Sequence, residues 1–106
     1  LKIYVCNVMT EPGETDGFSA ADHLAEVNKY LADGALDAIV VNVEEPPPRM
    51  LARYEGEGAH VVVNDEERLR AMGVRIIRGG LLARRSDFIR HDPGKLSRAI
   101  IKYAVI

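Results

Sequence analysis

The fold is decided by the stretch from residue 5 to residue 24, which reads Val5-Cys6-Asn7-Val8-Met9-Thr10-Glu11-Pro12-Gly13-Glu14-Thr15-Asp16-Gly17-Phe18-Ser19-Ala20-Ala21-Asp22-His23-Leu24. The apolar run over residues 2–9 predicts a strand buried on both faces, as in a parallel sheet. Pro12-Gly13 is a turn signal inside a loop without periodicity. Ser19 then begins a helix as its N-cap, with Asp22 placed as the acid of a capping box. The stretch therefore predicts a strand, a long loop and a helix, in that order.

The rest of the chain continues to alternate strands and helices. Gly34 is expected to end the first helix, and the apolar run over residues 36–43 makes the first 43 residues one βαβ unit with a right-handed crossover. The further predicted elements are a helix over 49–55, a strand over 60–63, a helix over 66–72 capped by Asn64-Asp65, a strand over 74–77, and a helix that Asp92 caps and Pro93 opens. We predict one α/β unit over residues 1–106, a Rossmann-like three-layer fragment with a mostly parallel sheet and helices on both faces.

The net charge of −2 conceals a strong asymmetry along the chain. Residues 1–67 carry 14 acidic and 4 basic side chains, whereas residues 68–106 carry 2 acidic and 10 basic ones. The basic half can meet phosphate, an acidic partner surface or the acidic half of the same chain, and the last is the simplest interpretation. A nucleic-acid partner is not expected, because the arginines have no interleaved aromatics and no recognised binding motif. The basic residues in question include Arg75, Arg78, Arg84, Arg85 and Arg90.

Three features of the sequence bear on the cellular compartment of the protein and on whether the chain is part of a larger one. No apolar run approaches the roughly 20 residues that a membrane-spanning helix needs. The single cysteine, Cys6, lies in an apolar run, cannot form an internal disulfide and fits the reducing cytoplasm. The first residue, Leu1, is not an initiator Met and leads straight into a predicted strand, so we expect the chain to be part of a larger protein.

The loop after the first strand is the leading candidate for a binding segment. In open parallel sheets the ligand lies beyond the carboxyl ends of the strands, and this loop is longer than the two to six residues usual there. Gly13 and Gly17 would let the backbone approach a ligand, and the following helix N-terminus suits a phosphate. The loop holds the polar residues Asn7, Thr10, Glu11, Glu14, Thr15 and Asp16.

Several candidate residues also have a purely structural interpretation. Asp22 can act as a helix cap, and His23 can be a packed, hydrogen-bonded residue rather than a ligand. Asn42 follows the second strand and either forms a turn or reaches the crevice. Arg90, His91 and Asp92 could bind an anion together, or Asp92 caps the helix while Arg90 pairs with the acidic half. Glu14 has no capping or packing role that the sequence shows.

Motifs that would identify a reaction are missing. The sequence has no Gly-x-Gly-x-x-Gly, no P-loop, no Cys/His metal spacing, no Gly-x-Ser-x-Gly and no nucleophile beside a base. We therefore predict no metal site or cofactor within these residues and leave open whether the chain is enzymatic.

The stretch from residue 5 to residue 24 resembles the segment of CofD-like proteins in which an N-x-M-T-x-P-G-E-T pattern precedes an aromatic residue, a small residue and Asp-His. The resemblance continues through Asn42-Val43-Glu44-Glu45 with the prolines after it, Tyr54, Gly73-Val74 and Ile89-Arg90-His91-Asp92. The motif Cys6-Asn7-Val8-Met9-Thr10 is similar to the sequences of the gluconeogenesis-factor (YvcK-like) branch. The resemblance implies the C-terminal part of a larger Rossmann-like domain, whose Gly-rich nucleotide loop lies outside these residues.

The resemblance implies two functions. One is that of 2-phospho-L-lactate transferase, which moves a phospholactyl group from a nucleoside-diphosphate-linked donor to a deazaflavin alcohol with a divalent metal. The other is binding of a nucleotide sugar such as UDP-N-acetylglucosamine by a regulator of cell shape and carbon metabolism. The residues that the resemblance carries over are Asn7, Thr10, Pro12, Gly13, Glu14, Thr15, Phe18, Asp22, His23, Asn42, Arg90, His91 and Asp92.

The leading hypothesis is a cytoplasmic nucleotide-sugar-binding regulator. In it Phe18 stacks on a ring, the helix N-terminus faces phosphate, and Glu14 or Asn42 holds hydroxyls. In the rival transferase the loop holds the deazaflavin, and Glu14 or Asp22 assists loss of the alcohol proton. A third alternative is a protein-interaction module with a basic arginine face. The expected partner is a small molecule, with no nucleic acid and no membrane span, and a homo-oligomer is left open.

Overall fold

The computed structural model describes residues 1–31 and 35–105 as three strands and four helices. The three strands form one parallel sheet in the order β1-β2-β3. This is the predicted α/β arrangement, and strand β2 lies at its centre. The elements are β1 (Ile3–Val5), α1 (Ala20–Asn28), β2 (Ala38–Asn42), α2 (Pro48–Gly56), α3 (Glu66–Ala71), β3 (Arg75–Gly79) and α4 (Pro93–Val105).

Alternate side chains of β2 pack into two separate cores. Ile39 and Val41 belong to a cluster with Leu24 of α1 and Leu69 of α3. On the opposite face, Ala38 and Val40 belong to a cluster that α4 covers with Leu96, Ala99, Ile100 and Tyr103. A central parallel strand is buried on both faces, which is why its sequence is a continuous apolar run. The predicted three layers, with helices on both faces, are confirmed.

The start of α1 is fixed by the predicted capping box. The Ser19 hydroxyl accepts from the Asp22 backbone N–H at 3.2 Å, and the Asp22 carboxylate accepts from the Ser19 N–H at 3.0 Å. Asp65 adds a contact that the sequence did not indicate, because its carboxylate accepts from the Ser19 hydroxyl at 2.7 Å and from the Ala21 N–H at 2.9 Å. The helix ends at Asn28 with Lys29 as its C-cap, which is earlier than the predicted end at Gly34, a residue that lies outside the described ones.

Two predicted local features were wrong. Residues 60–63 do not form a strand of the sheet, and Val61 makes only an isolated antiparallel bridge with Met9. The segment instead crosses the carboxyl edge of the sheet, where only Val62 of its three valines is buried. Asp65 precedes α3 but makes no side-chain cap there, since its carboxylate is turned towards α1. The described sheet therefore has three strands rather than four.

A third apolar cluster lies beyond the carboxyl ends of the strands. Val8 and Met9, which follow β1, pack with Ala59 and Leu82 and with the partly buried Leu51, Tyr54 and Ile89. The cluster joins the first loop to α2 and to the segment that precedes α4. It fixes the backbone at the edge of the sheet where the ligand is expected.

The basic half of the chain meets the acidic half, as the simplest interpretation of the charge asymmetry predicted. Arg68 lies 2.9 Å from Asp22, and both Arg70 and Arg78 pair with Glu66. Within the described ranges no acidic side chain comes within ion-pair distance of Arg90.

Candidate functional site

A cleft of about 410 Å³ opens at the carboxyl edge of the sheet. It brings together two segments that the sequence pointed to separately, the start of the loop after β1 and the residues before α4. The position is the one that an open parallel sheet favours for a ligand. The cleft is lined by Asn7, Val8, Met9, Thr10, Glu11, Pro12, Tyr54, Glu57, Ala59, Ile89, Arg90 and His91.

Thr10 anchors the loop from inside. It is 4% exposed, its N–H donates to the His60 carbonyl at 2.7 Å, and its hydroxyl accepts from the His60 N–H at 2.9 Å. A buried hydroxyl held in this way ties the loop after β1 to the segment after α2. Thr10 therefore shapes the cleft wall through these contacts.

The tip of the loop is a self-contained turn. The Thr15 hydroxyl accepts from the Glu11 N–H at 2.7 Å, and the Asp16 carboxylate accepts from the Gly13 N–H at 2.8 Å. Gly13 and Gly17 have φ angles of 82° and 71°, which side chains with a Cβ rarely adopt. The glycines are needed for the turn itself, and no atom crowds the position of an added Cβ at either one.

Glu14 lies on the exposed tip of this turn and does not line the cleft. A hydrogen bond to Glu11, together with the negative charge there, raises the pKa of Glu14. Glu11 and Glu57 are the carboxylates that do line the cleft. The sequence placed both glutamates of the turn in one loop, but only the fold shows which of them reaches the cleft.

Phe18 and His23 pack against each other away from the cleft. Their rings meet edge to face, with centroids 5.4 Å apart and an interplanar angle of 80°. His23 is 4% exposed, and its Nδ1 lies 2.9 Å from the Ser19 carbonyl, an arrangement in which Nδ1 carries the proton. The packed, hydrogen-bonded interpretation of His23 describes this geometry, and Phe18 does not line the cleft.

Asp22 and Asn42 also serve the fold. The Ser19 hydrogen bond, followed by that from Arg68, lowers the pKa of Asp22. Asn42 closes a turn, since its amide donates to the Glu44 carbonyl at 2.7 Å and its oxygen accepts from the N–H groups of Glu44 at 3.2 Å and Leu81 at 3.0 Å. Asn42 borders a second hollow of about 300 Å³ rather than the cleft.

The residues before α4 divide between the cleft and the helix. Asp92 caps α4 by accepting from the Lys95 N–H at 3.0 Å, and this hydrogen bond is the main cause that lowers its pKa. Arg90 and His91 both line the cleft. The Arg90 Nε donates to the Ser86 hydroxyl at 3.2 Å, which leaves the terminal nitrogens of the guanidinium for a ligand.

Tyr54 is the functional candidate that sequence reasoning did not place in the site. Its ring lines the cleft and packs in the apolar cluster around Met9, and its hydroxyl accepts from the Ile89 N–H at 3.0 Å. An aromatic ring with a polar end commonly sits where an apolar wall meets a wet site. Tyr54 is one of the residues that carry the family resemblance, but the sequence does not show that it lines the same cleft as Asn7.

The charges on the cleft wall are mixed. Arg90 supplies one guanidinium, Glu11 and Glu57 supply carboxylates, and Tyr54 supplies an aromatic surface. Guanidinium groups suit phosphate, and carboxylates accept hydrogen bonds from hydroxyls. Among residues 1–31 and 35–105, no group of three or more His, Cys, Asp or Glu side chains is arranged to hold a metal ion, and no helix is long and apolar enough to cross a membrane.

The pKa of His91 predicts a pH-dependent stability. Burial lowers this pKa below its usual 6.5, so the unfolded chain takes up the proton first as the pH falls. The free energy of unfolding should therefore decline as the pH drops below about 6.5 and level off below the folded pKa. Urea denaturation of the protein and of its His91→Asn variant, at about pH 8 and about pH 5, isolates this effect from the other histidines. An equal decline in both proteins would contradict it.

Comparison with known proteins identifies the family of the chain. The family model of 2-phospho-L-lactate transferase CofD matches residues 1–82. The gluconeogenesis factor of Bacillus subtilis is 42% identical over 100 residues, which cover 94% of this chain and 32% of that protein. A putative gluconeogenesis factor of Aquifex aeolicus is 38% identical over 102 residues, which cover 96% of the chain and 31% of that protein.

A solved structure supports the fold directly. The crystal structure of a UPF0052 family member from Bacillus halodurans superposes with a TM-score of 0.88 and 40% identity, over 94% of this chain and 32% of that one. The chain thus spans about a third of the length of these relatives. The chain belongs to the CofD family, and its relatives there carry the name gluconeogenesis factor.

Proposed function

We propose that the protein binds a nucleotide sugar of the UDP-N-acetylglucosamine type and acts as a cytoplasmic regulator of carbon metabolism and cell shape. The observation that carries the proposal is the composition of the cleft. One guanidinium, one aromatic ring and two carboxylates share a space of about 410 Å³. That volume lies within the range of small-molecule sites, and the groups match a phosphate, a ring and hydroxyls.

The roles differ from those expected on the sequence alone. Arg90 takes the phosphate, because its terminal nitrogens are unpaired with acids and a guanidinium holds phosphate oxygens in a two-pronged contact. Tyr54 replaces Phe18 as the ring that faces a base or sugar. Glu11 and Glu57 replace Glu14 and Asn42 as acceptors of ligand hydroxyls.

The chain supplies one wall of the proposed site. Its relatives are about three times as long, and the Gly-rich loop that the family resemblance implies has no counterpart in these residues. We propose that segments outside these residues complete the contacts to the nucleotide. The binding experiment therefore uses the intact protein.

Arg90→Ala should weaken binding of UDP-N-acetylglucosamine about tenfold or more, because a charge-assisted hydrogen bond contributes roughly 1.5–3 kcal/mol. Isothermal titration calorimetry of the intact protein measures this change. Arg75→Ala is the matched control, since it removes the same charge at the amino edge of the sheet, beside a different hollow. Equal affinities of the two variants would place the phosphate elsewhere.

The transferase remains the second candidate, because the CofD family model covers residues 1–82. In that case the same cleft wall would face a deazaflavin alcohol. Titration with that alcohol, followed by a search for phospholactyl transfer from a nucleoside-diphosphate-linked donor, separates the two functions. Binding of neither ligand would favour a protein-interaction module that uses the exposed Arg84 and Arg85.

A further inference from the structure

One ring nitrogen of His91, Nε2, is enclosed by the protein. Nε2 is buried and has no hydrogen-bond partner among the described residues. The residue as a whole is half-buried and contributes to the cleft wall. The other ring nitrogen, Nδ1, is therefore the atom that we assign to a polar contact between the ring and a ligand.

The enclosed nitrogen limits the forms that the ring can take. An N–H at Nε2 would be a buried donor without an acceptor, a group that is rarer in proteins than an under-satisfied acceptor. The imidazolium would also have an unpaired buried N–H at Nε2, and it would in addition carry the free-energy cost of a partly buried charge. The remaining form is the neutral ring with its proton on Nδ1.

The backbone holds the ring in this position from both sides. His91 forms an antiparallel bridge with Leu82, and the Asp92 N–H donates to the Leu81 carbonyl at 2.6 Å. The Ala83 N–H donates to the Arg90 carbonyl at 3.0 Å. His91 is thus presented to the cleft by a paired backbone.

The charged groups around the ring are of both signs. Arg90, Glu11 and Glu57 line the same cleft. The Asp92 carboxylate is taken up by the cap of α4, and the Lys95 ammonium donates to the Leu82 carbonyl at 2.8 Å. Burial, which disfavours the charged ring, is the cause that lowers the pKa of His91.

We infer that His91 enters the site as a neutral imidazole that carries its proton on Nδ1 and donates it to a phosphate oxygen of the ligand, beside the Arg90 guanidinium. The inference rests on the proposed function and deepens it. The contact is a hydrogen bond from a neutral donor, so it adds no second positive charge to the site. His91 is a ligand-binding residue in this scheme, and it moves no proton to or from the ligand.

Substitution of His91 by Asn or by Gln distinguishes the role of Nδ1 from that of Nε2. The amide nitrogen of Asn reaches the position of Nδ1, whereas that of Gln reaches towards Nε2. With UDP as the probe and the intact protein, His91→Asn should bind within about threefold of the natural protein, and His91→Gln should lose about tenfold. Binding retained by His91→Gln and lost by His91→Asn would overturn the inference.

Proton-detected nitrogen NMR of the imidazole groups gives a second readout that needs no variant to fold. The ligand-free protein should show the His91 proton on Nδ1 near neutral pH, and UDP should shift that signal. A proton on Nε2, or an imidazolium, would overturn the inference while leaving UDP binding intact. If the natural protein binds neither UDP nor UDP-N-acetylglucosamine, the proposed function and the donation to phosphate both fail, and the NMR signal still decides where the proton lies.

Discussion

Asp65→Ala should lower the free energy of unfolding by about 2–4 kcal/mol, which combines the loss of charged hydrogen bonds with an unpaired buried N–H. The carboxylate of Asp65 accepts from the Ser19 hydroxyl at 2.7 Å and from the Ala21 N–H at 2.9 Å. Ala21 is fully buried, and its N–H loses in this variant the acceptor that it has in the fold. Chemical denaturation of the intact protein measures the loss.

Glu67→Ala is the matched control for Asp65→Ala. Glu67 is an exposed acid of α3, the helix that follows Asp65, and it makes no ion pair within the described part of the chain. Its removal should change stability by less than about 0.5 kcal/mol, as is usual for surface substitutions. Similar losses in the two variants would mean that net charge, rather than the link between α1 and α3, sets the stability.

Loss of Asp65 should also lower the pKa of the buried thiol of Cys6. Burial, and to a lesser extent the negative charge of Asp65, raises the pKa of Cys6 to about 12. Cys6 is 2% exposed, lies next to the first residue of the cleft and packs in the core that α1 and α3 share. The thiol is therefore a structural residue, as its place in an apolar run predicted.

The parts of the fold that the sequence predicted are those whose cause is local. The capping box joins residues only three apart, Ser19 and Asp22, and the Asp92 cap reaches only to Lys95. The continuous apolar run of β2 indicates that both of its faces are buried. The apolar character of each residue shows this without any knowledge of the residues that pack against it. These signals placed the βαβ unit and the last helix.

The parts that the sequence missed depend on contacts between distant segments. The sequence suggested that Asp65 caps α3, because nothing in it reveals that the Asp65 carboxylate bonds to Ser19 instead. Residues 60–63 have the composition of a strand, yet their partner is the short stretch at Val8 to Thr10 rather than an edge of the sheet. A β-like pattern reports an extended backbone and does not identify its neighbour.

The same limit explains the candidate site. Phe18 and Tyr54 are both aromatic residues of the family pattern, and only the fold shows that Phe18 packs on His23 while Tyr54 lines the cleft. The loop after β1 and the pair Arg90-His91 were chosen because each lies where a strand end or a helix start puts polar groups at the edge of the sheet. This positional rule identifies the two segments, whereas the fold decides which side chains of the first segment line the cleft.

Asn42→Ala should lower the free energy of unfolding by about 2–4 kcal/mol, because it removes three hydrogen bonds and leaves a buried N–H unpaired. The Asn42 oxygen accepts from the N–H groups of Glu44 and Leu81, and Leu81 is 2% exposed. Those bonds hold the segment after β3 against the end of β2, which places the chain that leads on to Arg90. Denaturation of the variant in urea measures the effect.

Asn42→Asp separates a structural role of Asn42 from a ligand-binding one. The aspartate keeps an acceptor for Glu44 and Leu81, but it loses the donor to the Glu44 carbonyl and adds a charge beside the Glu44 carboxylate. We expect an intermediate loss of stability, about half that of the alanine variant, because most of the penalty comes from the unpaired Leu81 N–H. Full stability in both variants with loss of UDP-N-acetylglucosamine binding would instead make Asn42 a ligand residue. The measured order of the three proteins in stability therefore decides whether this position belongs to the turn or to the site.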